Sequence, residues 1–183
     1  MLFRSMDVKT FYGVEYESEM TSDGLIHSSM NEDIVNEISQ GFALINYIGH
    51  GDQKKLSAEK ILSIEDLPSL STTDKFGLWV VGTCKFGQYD NDECMAEELI
   101  TSENASIGVI STVRSISSNY NTSFLTYLFN EYVSHFNSNN VIRLGDIISL
   151  AKNTSYNDNS FYQGYVFHLF GDPALPIFSS KKQ

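Results

Sequence analysis

Positive charge is scarce in this 183-residue chain: 12 Lys and Arg stand against 23 Asp and Glu, for a formal net charge of −11. So acidic a surface repels phosphate backbones and anionic headgroups, which argues against nucleic acid and membrane surfaces as partners. No apolar run approaches the ~20 residues that a spanning helix needs. Cysteine is nearly absent. Cys84 and Cys94 are too few for a disulfide framework, and no tight cluster of ligands has the spacing of a zinc site. The first residues have no long apolar segment of the signal-peptide kind. Met1-Leu2-Phe3-Arg4-Ser5 is compatible with a cloning or assembly scar ahead of Met6, and the chain reads as a fragment of something longer.

What is present is the composition of an ordinary folded chain, 42% hydrophobic and 19% charged. No repeat, linker or low-complexity stretch divides it, so residues 1–183 read as one domain. Residues 8–12 form a β-type run, expected as an edge strand. Residues 21–24 read as a turn. Residues 29–39 carry Ile34, Val35 and Ile38 on one helical face, and Gly41 follows as a stop. Residues 42–48, 76–81 and 107–113 are apolar almost throughout without alternation. Strands buried on both faces of a parallel sheet look like this. Residues 57–70 suggest one short helix. Asp92 is the expected cap of a helix running to about Thr101, with Cys94, Met95 and Leu99 inward. Residues 119–136 and 144–153 have apolar residues at helical spacing. Residues 161–170 read as a further helix, broken by Gly171-Asp172-Pro173 before a last short run, 174–178. Strands alternating with helices imply an α/β fold with a mostly parallel sheet flanked by helices.

In such sheets, ligands bind beyond the carboxyl ends of the strands. His50 follows the first buried strand and Cys84 the second, 34 residues later, a separation that suits one β–α–β crossover. If those strands are neighbours, a thiol and an imidazole share one mouth. A thiol reacts as its thiolate, which a neighbouring imidazolium stabilises. Gly49 and Gly51 let the chain turn sharply and come close to a substrate. The amides of Gly51 and Cys84 are candidate oxyanion donors. The plainer reading of a Cys at a strand end is a small core residue. Cys94 is expected to be one, on its helix, and His27, His135 and His168 lack comparable settings, His168 lying on an aromatic helix. The sequons at Asn104, Asn121 and Asn153 are read as chance matches in an Asn- and Ser-rich chain.

Asn46-Tyr47-Ile48-Gly49-His50-Gly51-Asp52 resembles the His motif of gingipain-type cysteine peptidases, and Val81-Gly82-Thr83-Cys84-Lys85-Phe86-Gly87 their Cys motif. Glu93-Cys94-Met95-Ala96-Glu97-Glu98, residues 107–114 and Leu169-Phe170-Gly171-Asp172-Pro173-Ala174-Leu175 resemble the segments that follow, in the same order. Within the family, the signal peptidase/sortase of the bacterial type IX secretion system looks closest.

The resemblance implies a caspase-like three-layer fold and a Cys84–His50 dyad, with no metal or other cofactor. It also implies a protein or peptide substrate, secretion-system partners, and a bacterial cell-surface or secreted location. Ser111, Arg114 and Ser115 are expected to line the cleft, with a surface salt bridge as the alternative for Arg114. The acid that orients the histidine in gingipains has only Asp23 and Glu32 as upstream candidates. Two other readings stay open: a catalytically inactive caspase-like scaffold or binding module, and a nucleotide-binding α/β domain. The second is disfavoured because Gly49-His50-Gly51 is too short for a phosphate loop and has no Lys-Ser/Thr after it.

Overall fold

The computed structural model describes residues 7–22, 24–70, 75, 77–103, 105–136, 141–157 and 161–176. Its elements, in chain order, are β1 (Glu19–Thr21), β2 (Gly24–Ile26), α1 (Ser28–Ser39), β3 (Leu44–Ile48), β4 (Lys55–Leu56), β5 (Leu62–Ser63), β6 (Leu78–Gly82), α2 (Met95–Thr101), β7 (Gly108–Thr112), α3 (Ser118–Phe136), α4 (Leu144–Asn157), α5 (Phe161–Val166) and β8 (Phe167–Gly171). Short 3₁₀ turns cover Gly13–Glu15 and Ile64–Ser69. Among the described residues, no helix is long and apolar enough to cross a membrane.

The central sheet runs β3-β6-β7-β8. The first three strands are parallel and β8 is antiparallel to β7. Side-chain alternation sorts the core into two layers. Leu78, Val80 and Ile110 face α3, α4 and α5, while Trp79, Val81 and Val109 face α1 and α2. Every residue of β6 and β7 is buried, which is why these segments read as unbroken apolar runs. The three-layer α/β fold with a mostly parallel sheet is therefore as expected. Aromatic contacts tie the layers together. Phe124 of α3 stacks on Phe167 of β8 at 4.3 Å, and Phe42 meets Trp79 edge-on at 5.9 Å. The buried Trp79 indole donates to the Ala105 carbonyl, so this large side chain leaves no orphan donor in the core.

Four local expectations are corrected. Residues 8–12 form no strand; they run irregularly into the turn at Gly13–Glu15 and are mostly exposed. β3 is not buried on both faces. It pairs only with β6 among the described residues, and although Leu44 packs against the α3–α5 core, Asn46 and Ile48 on the same face are exposed. The helix before Thr101 is capped by Cys94, not Asp92. The helix expected over residues 161–170 ends at Val166, and residues 167–171 continue as β8, placing His168 on a strand. Phe76, Asn104 and residues 177–178 lie outside the described residues, as does Asp23.

Candidate active site

The Cys84 arm grows out of the most buried strand. β6 ends at Gly82, where a Cβ would lie 2.5 Å from both the Asn121 amide oxygen and Leu125 Cδ1, so only glycine lets α3 pack this closely. The Asn121 side-chain amide donates to the Gly82 carbonyl at 2.7 Å and fastens the strand end to α3. Next, the Thr112 hydroxyl donates to the Thr83 carbonyl. After Cys84 the chain bends sharply: Lys85 takes the left-handed conformation, at φ 61°, that L-residues seldom adopt. The Lys85 amide donates to the Arg114 carbonyl and the Gly87 amide to the Thr112 carbonyl, while Phe86 is fully buried beneath the loop. The nucleophile candidate is thus held from both sides. Cys84 is a free thiol and half-buried, its sulfur 3.5 Å from both the amide nitrogen and the carbonyl oxygen of Ile116.

The His50 arm leaves the neighbouring strand at the same level. Ile48 of β3 pairs with Gly82 of β6, and the Gly49 amide continues the ladder to the Gly82 carbonyl. Carboxyl ends of adjacent parallel strands open on one sheet edge, so His50 and Cys84 emerge side by side. The loops also touch. A Cβ on Gly51 would sit 2.9 Å from Thr83 Oγ1 and 2.8 Å from the Lys55 carbonyl. The His50 carbonyl accepts from the Tyr47 hydroxyl at 2.7 Å and from the Ser57 amide at 2.8 Å. A Gly51–Leu56 bridge then folds the following residues into a hairpin. His50 itself is exposed.

The remaining site candidates separate clearly. Ser111 is fully buried inside β7 and its hydroxyl donates to the Val81 carbonyl, so it does not line a cleft. Arg114 is exposed beyond β7 but already paired: its two terminal nitrogens meet the two Asp90 oxygens at 3.1 and 2.6 Å, and one also donates to the Val113 carbonyl. That arrangement is the salt bridge weighed as the alternative, and it holds the Asp90 carboxyl below the usual carboxylate range. Ser115 is exposed, and its carbonyl accepts from the Tyr162 hydroxyl.

Cys94 is a buried, free thiol, as its helix position suggested, and burial pushes its pKa up to about 11. The His168 ring faces Tyr89, and burial lowers its pKa. Asn121 is buried, which removes its sequon as an acceptor in the folded chain. Of the two upstream acids, Glu32 is exposed on α1 and Asp23 lies outside the described residues. Sequence reasoning missed Glu59, whose carboxyl is held below its ordinary range first by the Ser57 hydroxyl, with smaller contributions from His27 and His50. Its only signal is a Ser two residues earlier, a common and weak turn pattern. Among the described residues, no group of three His, Cys, Asp or Glu side chains is placed to hold a metal ion.

Compared with known proteins, the chain matches the profile described as Peptidase family C25 over residues 2–178. It is similar to the crystal structure of the Arg-specific cysteine proteinase gingipain R (RgpB), with a TM-score of 0.67 at 16% identity over 80% of this chain and 36% of that one. It is equally similar, at TM-score 0.67 and 15% identity, to the complex of Porphyromonas gingivalis RgpB pro- and mature domains, covering 80% of this chain and 37% of that one. The chain therefore spans little more than a third of these solved relatives, and the likeness is one of fold. No curated protein matches it.

Proposed function

The chain belongs to peptidase family C25, and from that premise we propose that it is the gingipain-like catalytic domain of a cysteine endopeptidase, with Cys84 as nucleophile and His50 as general base and acid. The observation that carries this reading is the contact between the two arms. Ile48 pairs with Gly82 in register, and Gly51 abuts Thr83. On this reading the half-buried Cys84 sulfur and the exposed His50 imidazole serve one rim, the ring open to the leaving amine.

The chemistry is acyl transfer. The Cys84 thiolate adds to the carbonyl carbon of a peptide bond, and the negative oxygen settles against the amides of Gly51 and Cys84. The tetrahedral intermediate collapses, the C–N bond breaks, and imidazolium His50 gives its proton to the departing amine. A thioester remains. Water, deprotonated by His50, attacks it and releases a carboxylic acid and the thiolate; an incoming amine instead gives transpeptidation. The substrate is a protein or peptide. Ser115 and Arg114 line its path, and an acidic substrate group gains Arg114 only by displacing Asp90 from the same two donors. In keeping with the motifs around His50 and Cys84, the physiological role is trimming or transfer of secretion signals in a type IX secretion system, at a bacterial cell surface or outside it.

Labelling with a thiol-reactive peptide probe tests the reading. Cys84 is expected to be labelled in the parent and lost as a target in Cys84→Ala, with slowed labelling in His50→Ala. Cys94, its thiolate suppressed by burial, stays unmodified near neutral pH. Equal labelling of both cysteines, or indifference to His50→Ala, would mark the chain as a scaffold that keeps the fold without the reaction.

A further inference from the structure

A basic pocket lies at the β8 margin of the sheet. It is open, with a volume of about 370 Å³, and is walled by Ile148, Ser149 and Lys152 of α4 and by His168, Leu169 and Gly171 of β8. Among the described residues β8 pairs only with β7, so the pocket opens beside an unpaired strand edge. The Lys152 stem lies against α5, where a Cβ on Gly164 would sit 3.7 Å from Lys152 Cγ. A long basic side chain packed along its stem in this way carries its ammonium to the rim. His168 Nε2 donates to the Tyr165 carbonyl at 3.1 Å, and the ring centroid is 5.9 Å from that of Tyr89, in the loop that follows Cys84.

The pocket holds positive charge without a counter-charge. Among the described residues no carboxylate pairs with Lys152, and desolvation lowers the pKa of its half-buried ammonium. The His168 pKa is lowered first by burial, then by the Lys152 charge, with a smaller push from Arg114; the Tyr165 carbonyl works the other way. The groups facing the imidazole are therefore Lys152 from α4, Arg114 from beyond β7, Tyr89 from the Cys84 loop and Tyr165 from α5, and none is an acid. The acids that adjoin the lining residues are engaged elsewhere: Asp146 accepts the Arg143 amide and Asp172 the Ala174 amide. In a chain of net charge −11, an ammonium and an imidazole are set together in one half-buried wall, an arrangement that a bound anion stabilises.

We propose that this pocket is an exosite for an acidic stretch of the polypeptide substrate, with carboxylates meeting the Lys152 ammonium and the protonated His168. That the polypeptide is a substrate rests on the peptidase reading above; the pocket's affinity for acidic peptide does not. The occupant is a peptide and not a small ion because the pocket has room for more than one side chain and opens on a strand edge, whose backbone groups suit an extended chain. Tyr89 joins the pocket to the Cys84 loop. Arg114 offers its fork only against competition from Asp90, whereas Lys152 has no such competitor among the described residues. The overall acidic surface repels acidic chains, so a local basic pocket is what admits one.

The test follows the imidazole C2 proton of His168 by NMR in the full chain carrying Cys84→Ala, so that no peptide is cut. Blocked tetraglutamate is expected to bind and to raise the pH midpoint of His168, because carboxylates favour the imidazolium. Lys152→Gln weakens this binding about tenfold, the loss of one charge-assisted contact, and Lys152→Arg restores most of it. Tetraglutamine leaves the midpoint where it was. A midpoint unmoved by tetraglutamate, or moved equally in Lys152→Gln, overturns the pocket. Inorganic phosphate reproducing the shift at the same concentration marks a small-anion site and overturns the peptide assignment. A second arm uses the thiol-reactive peptide probe on the parent chain, extended by four Glu or by four Gln. The Glu-extended probe is expected to label Cys84 several-fold faster, and equal rates overturn the substrate role. No labelling of Cys84 by either probe overturns the peptidase reading and the substrate role together, while the imidazole shift still decides the pocket.

Discussion

Single atoms decide how near the two reactive loops lie. Gly51 has no room for a methyl group between Thr83 and the Lys55 carbonyl. Gly51→Ala is expected to push the His50 loop off the Cys84 loop, lowering Cys84 reactivity toward a peptide probe about tenfold or more. The overpacking itself costs about 1–3 kcal/mol, readable as a drop in thermal midpoint. The Arg114–Asp90 pair carries a pH signature. The Asp90 carboxyl is depressed by its hydrogen bonds to Arg114, so the stability it contributes is fully present above the unfolded value near pH 4 and is lost as pH falls through the lower folded value. Comparing thermal midpoints of the parent and Asp90→Asn should show a small gap at neutral pH that closes as pH falls below the ordinary carboxylate range. Both partners are exposed, so a gap of several degrees would contradict the pair's surface setting.

Elements differ in how legible they were. β6 and β7 read correctly because burial on both faces leaves a local mark, an unbroken apolar run. β3 carries the same mark and yet lies at an edge among the described residues; its apolar residues record only the neighbour on one side. β8 left no mark of its own, since its pairing with β7 is antiparallel and long-range, and its aromatic run Phe167-His168-Leu169-Phe170 also suits a helix. The carboxyl-end positions of His50 and Cys84 followed from strand order alone. Ser111 was misplaced because the resemblance assigned the strand and loop of residues 107–114 to the cleft together, whereas Ser111 is the fourth residue of β7 and shares a buried face with Val109. Glu59 was out of reach because the turn that ties it through Ser57 to the His50 carbonyl takes positive φ at Ser57 and Lys60, which no residue type announces. The stack of Phe124 on Phe167 locks α3 to β8. Phe124→Ala is expected to cost about 3–5 kcal/mol, measurable by urea unfolding, because both rings are fully buried and the gap cannot close.

Across the whole molecule, stability and reactivity are unevenly shared. Both core layers converge on β6, which carries the thiol and exposes none of its residues. The imidazole belongs to β3, joined to the sheet along one side only among the described residues. Amide hydrogen exchange is expected to be markedly faster for residues of β3 than for β6, since local opening begins where fewest contacts must break; equal protection would mean that β3 is braced by something besides β6. On the proposed dyad, the nucleophile thus sits on the most buried strand and its proton carrier on one paired along a single side among the described residues. If the proposed dyad operates, a polypeptide strand added along β3 would steady the proton carrier without entering the cleft and so tune the rate from outside it.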